Sequence, residues 1–205
     1  MHVLAPSLKN MTGLKSCNMK TRIMILAVLS ISVLTTSAQI GAGIKGGFNF
    51  ASLTGFNGDS RVGAHAGLFL HYTINNRWCF QPEILYSGEG QWYSSDLDQR
   101  TLALDYIQIP LMIQYFPVKQ LYFEFGPQFG ILTSAHDRGE DGINFNVKDD
   151  FAPTQIGLNI GVGVKASYSL SFYGRYNFGL TDVSRFDNIV DQSRVGQLGM
   201  SILLK

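Results

Sequence analysis

Cysteine is nearly missing from this 205-residue chain, which holds only Cys17 and Cys79. Cys17 lies in a front end expected to be removed, so no internal disulfide can form and covalent stapling is excluded as a source of stability. Charge is sparse too: 15% of residues, with a formal balance of +1. A near-neutral chain offers nucleic acid no electrostatic footprint. There are four histidines, scattered without the paired spacing of a metal site, and no metal or cofactor is expected. The apolar run Ile23–Leu34 has twelve residues. As a helix it would rise about 18 Å, short of the ~30 Å of bilayer hydrocarbon, so it does not read as a membrane anchor.

That run reads instead as the core of an export signal. Met19, Lys20 and Arg22 form a basic n-region near 19–22, and the apolar h-region is 23–34. Thr36-Ser37-Ala38 then presents small residues to a peptidase, placing cleavage before Gln39. Residues 1–38 are thus expected to be leader and cleavable signal-peptide helix. Residues 1–18 are either an extended leader or sequence upstream of a true start at Met19. Removing 1–38 deletes Lys9, Lys15, Lys20 and Arg22 and no acid, which takes the net charge from +1 to −3. Cys17 precedes the apolar run, so it is not the lipidated cysteine that would follow such a run.

What the chain has in quantity is alternation. Over Tyr106–Phe116, Ile107, Ile109, Leu111, Ile113 and Tyr115 point one way; Tyr106, Gln108, Pro110, Met112 and Gln114 point the other. A period of two over that length is a β-strand with two unlike faces. The pattern recurs eight times over residues 39–205, near Gly41–Ala51, Arg61–Ile74, Trp78–Tyr93, Thr101–Phe116, Leu121–Ala135, Ala152–Ala166, Ser169–Thr181 and Val195–Leu204. Connections alternate between tight (Asn75-Asn76-Arg77, Pro117–Gln120, Ser167-Tyr168) and long (Leu53–Ser60, Ser94–Arg100, His136–Phe151, Asp182–Arg194). Short periplasmic turns, long outward loops and an even strand count mark outer-membrane barrels.

A soluble barrel with its apolar face inward gives the same period. Volume separates the two, because an eight-stranded barrel has room inside only for side chains. The apolar face carries four to six bulky groups on most strands, whereas the other is lined by Gly43, Gly47, Gly63, Gly67, Gly126, Gly130, Gly157, Gly161 and Gly163. The slim face belongs inside and the bulky one outside. The expected fold is therefore all-β: an eight-stranded antiparallel up-and-down transmembrane β-barrel. Closure leaves no free edge, the condition for strands to cross lipid. Trp78, Phe80, Trp92, Tyr93, Tyr115, Phe116, Tyr122, Phe123 and Tyr168 fall near strand ends, where aromatic girdles sit. Pro82, Pro110 and Pro127 fall inside strands, each removes a ladder donor, and bulges are expected there.

The chain resembles the Bacteroidota-type outer-membrane β-barrel family that includes the PorT-like proteins. The resembling stretches are Gly43–Asn49, Gln81–Ser87, Tyr106–Leu111, Phe125–Gly130 and Arg175–Thr181; the Q-P-E-I-L-Y and Y-I-Q-I-P-L segments are the most specific. The resemblance implies the fold, a Gram-negative outer-membrane address, and that the strand prolines belong to the pattern. PorT is associated with protein secretion across the outer membrane, which makes an accessory role in secretion one alternative function. Many outer-membrane barrels end in an aromatic residue, whereas this chain ends Leu203-Leu204-Lys205.

The non-apolar phase places Lys45, His65, His71, Glu83, Glu124, Lys165 and Arg175 in the lumen. Buried charges must pair, so Lys45, His65, Glu83, Glu124, Lys165 and Arg175 are expected to form a polar network that plugs the barrel. No catalytic residue is assigned. A Glu83–Glu124 acid–base pair, or His65 with Ser87 or Ser171 in a lipid-modifying enzyme, finds no support in the spacing. The five acids of His136–Phe151 lack the order of a calcium loop. The expected protein is a non-enzymatic barrel that presents outward loops, with a small passive channel as a further alternative. Its expected partners are outer-membrane lipid and lipopolysaccharide, the barrel-assembly machinery during biogenesis, and a protein reached through the loops.

Overall fold

The computed structural model describes residues 40–54, 59–95, 98–139, 144–183 and 192–204. The expected leader, signal peptide and cleavage site, with Cys17, lie outside the described residues. The strands are β1 (Ile40–Leu53), β2 (Asp59–Thr73), β3 (Trp78–Ser95), β4 (Asp98–Val118), β5 (Leu121–Gly139), β6 (Asn144–Asn146), β7 (Thr154–Lys165), β8 (Leu170–Gly179) and β9 (Ser193–Leu204). Hydrogen bonding runs in the order β4-β3-β2-β1-β9-β8-β7-β5-β6, and β4 also pairs with β5. Eight antiparallel strands therefore close into a ring, and β6 is a three-residue strand on the edge of β5.

Alternation decides the faces as expected. On β1, Ile44, Phe48 and Phe50 are exposed while Lys45, Asn49 and Ala51 are buried; on β5, Phe123, Phe125, Phe129 and Ile131 are exposed against buried Tyr122, Glu124 and Gln128. A continuous belt of large apolar groups on the outside, around a polar inside, inverts a water-soluble protein and requires lipid as its solvent. The two tryptophans mark the belt's height. Trp78 and Trp92 sit near opposite ends of β3, about 46 Å apart along a strand, which a ~40° tilt reduces to roughly 35 Å. Trp78 packs against Tyr115 in a tilted arrangement with ring centroids 4.8 Å apart.

Three expectations need correction. The segment read as a loop at Ser94–Arg100 is mostly strand and the one at His136–Phe151 is strand in part: β3 runs to Ser95, β4 starts at Asp98, and β5 continues to Gly139, where β6 pairs with it through His136↔Asn146. Above the membrane the outer face meets water, so the apolar–polar contrast that marks a lipid-facing strand vanishes while the ladder goes on. With 18, 21 and 19 residues, β3, β4 and β5 rise as a lip beyond β7, β8 and β9, which have 12, 10 and 12. On this lip Asp137 accepts from Arg100 Nε at 3.0 Å and from the Tyr93 hydroxyl at 2.9 Å. Burial, and then that hydrogen bond, push the Tyr93 phenol above its ordinary range.

The prolines do not bulge. One register continues through Pro82↔Leu111, Pro110↔Gln128 and Pro127↔Leu158, and the register shifts fall elsewhere, between Ser60 and His65 on β2, and between Asp105 and Tyr106 and between Tyr115 and Val118 on β4. A missing donor opens a ladder locally without adding a residue, so the strands stay in phase. Finally, Phe116 and Tyr122 are not girdle residues. They stand on the inward phase of β4 and β5 and pack on each other at 5.3 Å, with Cys79 and Tyr173 in the same buried cluster.

Inward glycines make room for these rings. A Cβ on Gly163 would collide with the Tyr122 ring and one on Gly43 with Phe69. Gly90 is held by conformation as well, since its φ of +123° is closed to ordinary L-residues and a Cβ would strike the Leu102 carbonyl. At the outer end Leu53, Leu102, Leu104, Tyr106, Leu132, Ala135, Phe151 and Val183 form a second apolar cluster that caps the lumen.

Candidate functional site in the lumen

Four inward side chains from four strands meet near mid-lumen. Lys45 stands on β1, Glu83 on β3, Glu124 on β5 and Arg175 on β8. In the ring β3 and β8 are diametrically opposite, so an arginine bonded to Glu83 crosses the full width of the barrel. Arg175 does so with two parallel bonds, Nη1 to Oε2 at 3.0 Å and Nη2 to Oε1 at 2.9 Å. Its Nε donates to Glu124 Oε1 at 2.7 Å. Lys45 Nζ lies 3.0 and 3.1 Å from the two oxygens of Glu83 and 4.0 Å from the centre of the Tyr173 ring.

Two bases face two acids, so the cluster is neutral, and all four side chains are at most 2% exposed. Neutral amides complete it: Gln81 Nε2 donates to Glu83 Oε1 at 2.8 Å, and Gln114 Nε2 to Glu124 Oε2 at 3.2 Å. Bidentate guanidinium geometry with every partner satisfied is the arrangement under which buried ions are tolerated.

His65 sits one tier outward. Asn49 Nδ2 donates to Ser87 Oγ and to the Gly88 carbonyl, both at 2.9 Å, which leaves its Oδ1 facing His65 Nδ1 at 2.7 Å. That assigns the proton to Nδ1, with Nε2 accepting from the Tyr173 hydroxyl. Both ring nitrogens are occupied, and neither Ser87 nor Ser171 is a partner, so the Ser–His arrangement of a hydrolase is not assembled. Glu83 and Glu124 are likewise committed to cations rather than free to exchange protons.

Lys165 is not joined to the carboxylates. Its ammonium lies 4.3 Å from the centre of the Phe116 ring near the tight-turn end. His71 also sits there, 3.3 Å from Gln81 Oε1 and 3.1 Å from Cys79 Sγ. Among the described residues no cluster of three or more His, Cys, Asp or Glu is placed to hold a metal ion.

Glu89 was overlooked in the sequence, although it follows Glu83 by six residues on the same strand and so shares its face. Its oxygens accept from Ser87 at 3.3 Å, from Ser193 at 2.9 Å and from Gln108 Nε2. No cation reaches its carboxylate among the described residues, Arg61 donating instead to its backbone carbonyl, and Gln108 Oε1 beside it lacks a donor. The two glutamates should therefore respond oppositely to the same change. Glu89→Gln removes an uncompensated buried charge and offers Gln108 a donor, so it should leave the unfolding free energy within about 1 kcal/mol or raise it; Glu83→Gln takes from Lys45 its carboxylate and from Arg175 one of its two, and should lower it by about 3 kcal/mol. Urea titration of the two variants in detergent micelles measures the difference.

Residues 35–185, about three quarters of the chain, match the family described as outer membrane protein beta-barrel domain. Among solved structures, Neisserial surface protein A (NspA) is similar at 14% identity and a TM-score of 0.53, over 82% of this chain and 100% of its own. The attachment invasion locus protein Ail of Yersinia pestis shares 14% identity over 80% of this chain and 98% of its own, with a TM-score of 0.49. OprG from Pseudomonas aeruginosa shares 12% over 82% and 95%, with a TM-score of 0.44. No curated protein matches.

Proposed function

This chain belongs to the outer membrane protein β-barrel domain family and resides in the outer membrane of a Gram-negative bacterium, and from that premise we propose that it is a closed, non-enzymatic barrel whose lumen is a plug and whose outer lip is its working surface. One observation carries the plug: Arg175 spans the barrel between Glu83 and Glu124 with no exposed side-chain surface. A neutral, fully bonded cross-brace offers a passing ion neither a hydration path nor a free ligand. An interior of this size has room only for side chains, and here they fill it from the Gln81 tier to the apolar cap at Leu102 and Leu104.

The non-enzymatic reading is supported by the state of the candidate groups. Each inward acid or base near the centre is held by a fixed partner, and both ring nitrogens of His65 are taken by Asn49 and Tyr173 rather than by a serine. The lip supports an interaction role. It lifts Phe145, about half exposed, above the barrel, and Arg100 lies over the Phe145 ring at 5.5 Å. Such a surface suits a protein partner or lipopolysaccharide. We further infer the PorT-like subgroup from the segments Gln81–Tyr86 and Tyr106–Leu111, the first of which supplies Glu83.

Planar-bilayer recording tests the plug directly. The reconstituted barrel is expected to give no steady conductance step, whereas reproducible ion-selective steps would make it a small channel.

A further inference from the structure

At the tight-turn end the lumen opens into a cavity of about 720 Å³. His71, Phe116, Lys119 and Lys165 line it, and among the described residues no carboxylate does. Inward it narrows to a notch at Gln81, Gln114, Ser171 and Ser201. Gln81 and Gln114 are the residues that hold Glu83 and Glu124, so the plug is the cavity's floor and the pocket is blind.

Among the described residues, charge at this end is of one sign. The connections 74–77, 119–120 and 166–169 contain Arg77 and Lys119 and no acid, and Lys165 lies beside them. The acids Asp59, Asp137, Asp149, Asp150 and Asp182 lie toward the other end. Lys165 forms no ion pair among the described residues, in contrast to Lys45, Arg100 and Arg175. A half-buried ammonium without a counter-charge is unfavourable unless water or an anion meets it.

The mouth is apolar on its outer side. Ile40, Trp78, Tyr168 and Leu204 line the same cavity yet are exposed on the barrel's rim, at the level where short periplasmic turns meet the inner leaflet. The pocket is thus cationic within and greasy where it joins the bilayer, which fits an amphiphile with an anionic head.

We propose that this vestibule seats the phosphate headgroup of an anionic phospholipid from the inner leaflet, held by Lys165 and Lys119, with the acyl chains lying over Ile40, Trp78 and Leu204. The inference uses the plug only as a floor and stands apart from the role of the lip. Native mass spectrometry of the detergent-solubilised barrel tests it with three probes: dioleoyl phosphatidylglycerol, dioleoyl phosphatidylcholine and glycerol 3-phosphate. Phosphatidylglycerol adducts should form at about tenfold lower concentration than phosphatidylcholine adducts, because the choline cation of the latter brings a like charge to the lysines that hold the phosphate. Lys165→Gln should erase that preference and Lys165→Arg should keep it. Lys119→Gln, on an exposed turn, should weaken it about threefold and keeps the test decisive if Lys165→Gln fails to fold. Equal binding of the two lipids, or an undiminished preference in both glutamine variants, overturns the site. Displacement of phosphatidylglycerol by glycerol 3-phosphate at equal concentration overturns the lipid, because the apolar rim would then contribute nothing.

Discussion

Replacing Arg175 by methionine is expected to lower the unfolding free energy by about 3–5 kcal/mol, because it removes the partner of two buried carboxylates at once. The reason is charge balance within a sealed volume. Lys45 and Arg175 neutralise Glu83 and Glu124; without Arg175 the cluster carries one net negative charge, and Glu124 keeps only the Gln114 amide. The double variant Arg175→Met with Glu124→Gln restores neutrality, because Lys45 remains on Glu83. It should recover most of the loss. Urea unfolding followed by the fluorescence of Trp78 and Trp92 measures both. Equal losses in the single and double variants would show that packing, rather than charge pairing, is what Arg175 supplies.

A similar loss is expected from the opposite face. Ile160 is half exposed at the middle of β7, cross-strand from Phe125 and Tyr176. If that face meets lipid tails, Ile160→Arg should cost about 2–4 kcal/mol, as arginine does at the bilayer midplane. Asn144→Arg, on exposed β6 of the lip, should change stability by less than about 0.5 kcal/mol. Folding into phospholipid vesicles at increasing urea reads both. A neutral Ile160→Arg would remove the hydrocarbon from around the belt. The same experiment in a water-soluble barrel would also come out neutral, so it separates the two folds that alternation alone cannot.

Much of this was legible before any coordinates, and Lys45, Glu83, Glu124 and Arg175 show why. Parity along a strand determines which face a side chain takes, and parity needs only the strand's phase. All four fall on the inward phase in the sequence and all four point inward. Parity outranks position along the strand: nearness to strand ends makes Phe116 and Tyr122 girdle residues, yet their phase is inward and they are buried. Glu89 was passed over despite sharing the phase of Glu83.

Alternation and side-chain volume were sufficient by themselves for the strand count, the closed ring, the greasy exterior and the membrane address, because each follows from local spacing and from how much fits inside eight strands. Distances across the lumen do not follow from local spacing. That Arg175 reaches Glu83 from the opposite wall while Lys165 reaches no acid depends on register and closure summed over all eight pairings, and a shift of two residues in any one would redraw the network without changing a single side chain's face. The lip is the other feature the fold alone decided: where water bathes a strand's outer face, the hydrogen-bonded ladder persists after the hydrophobic signal that announces it has ended.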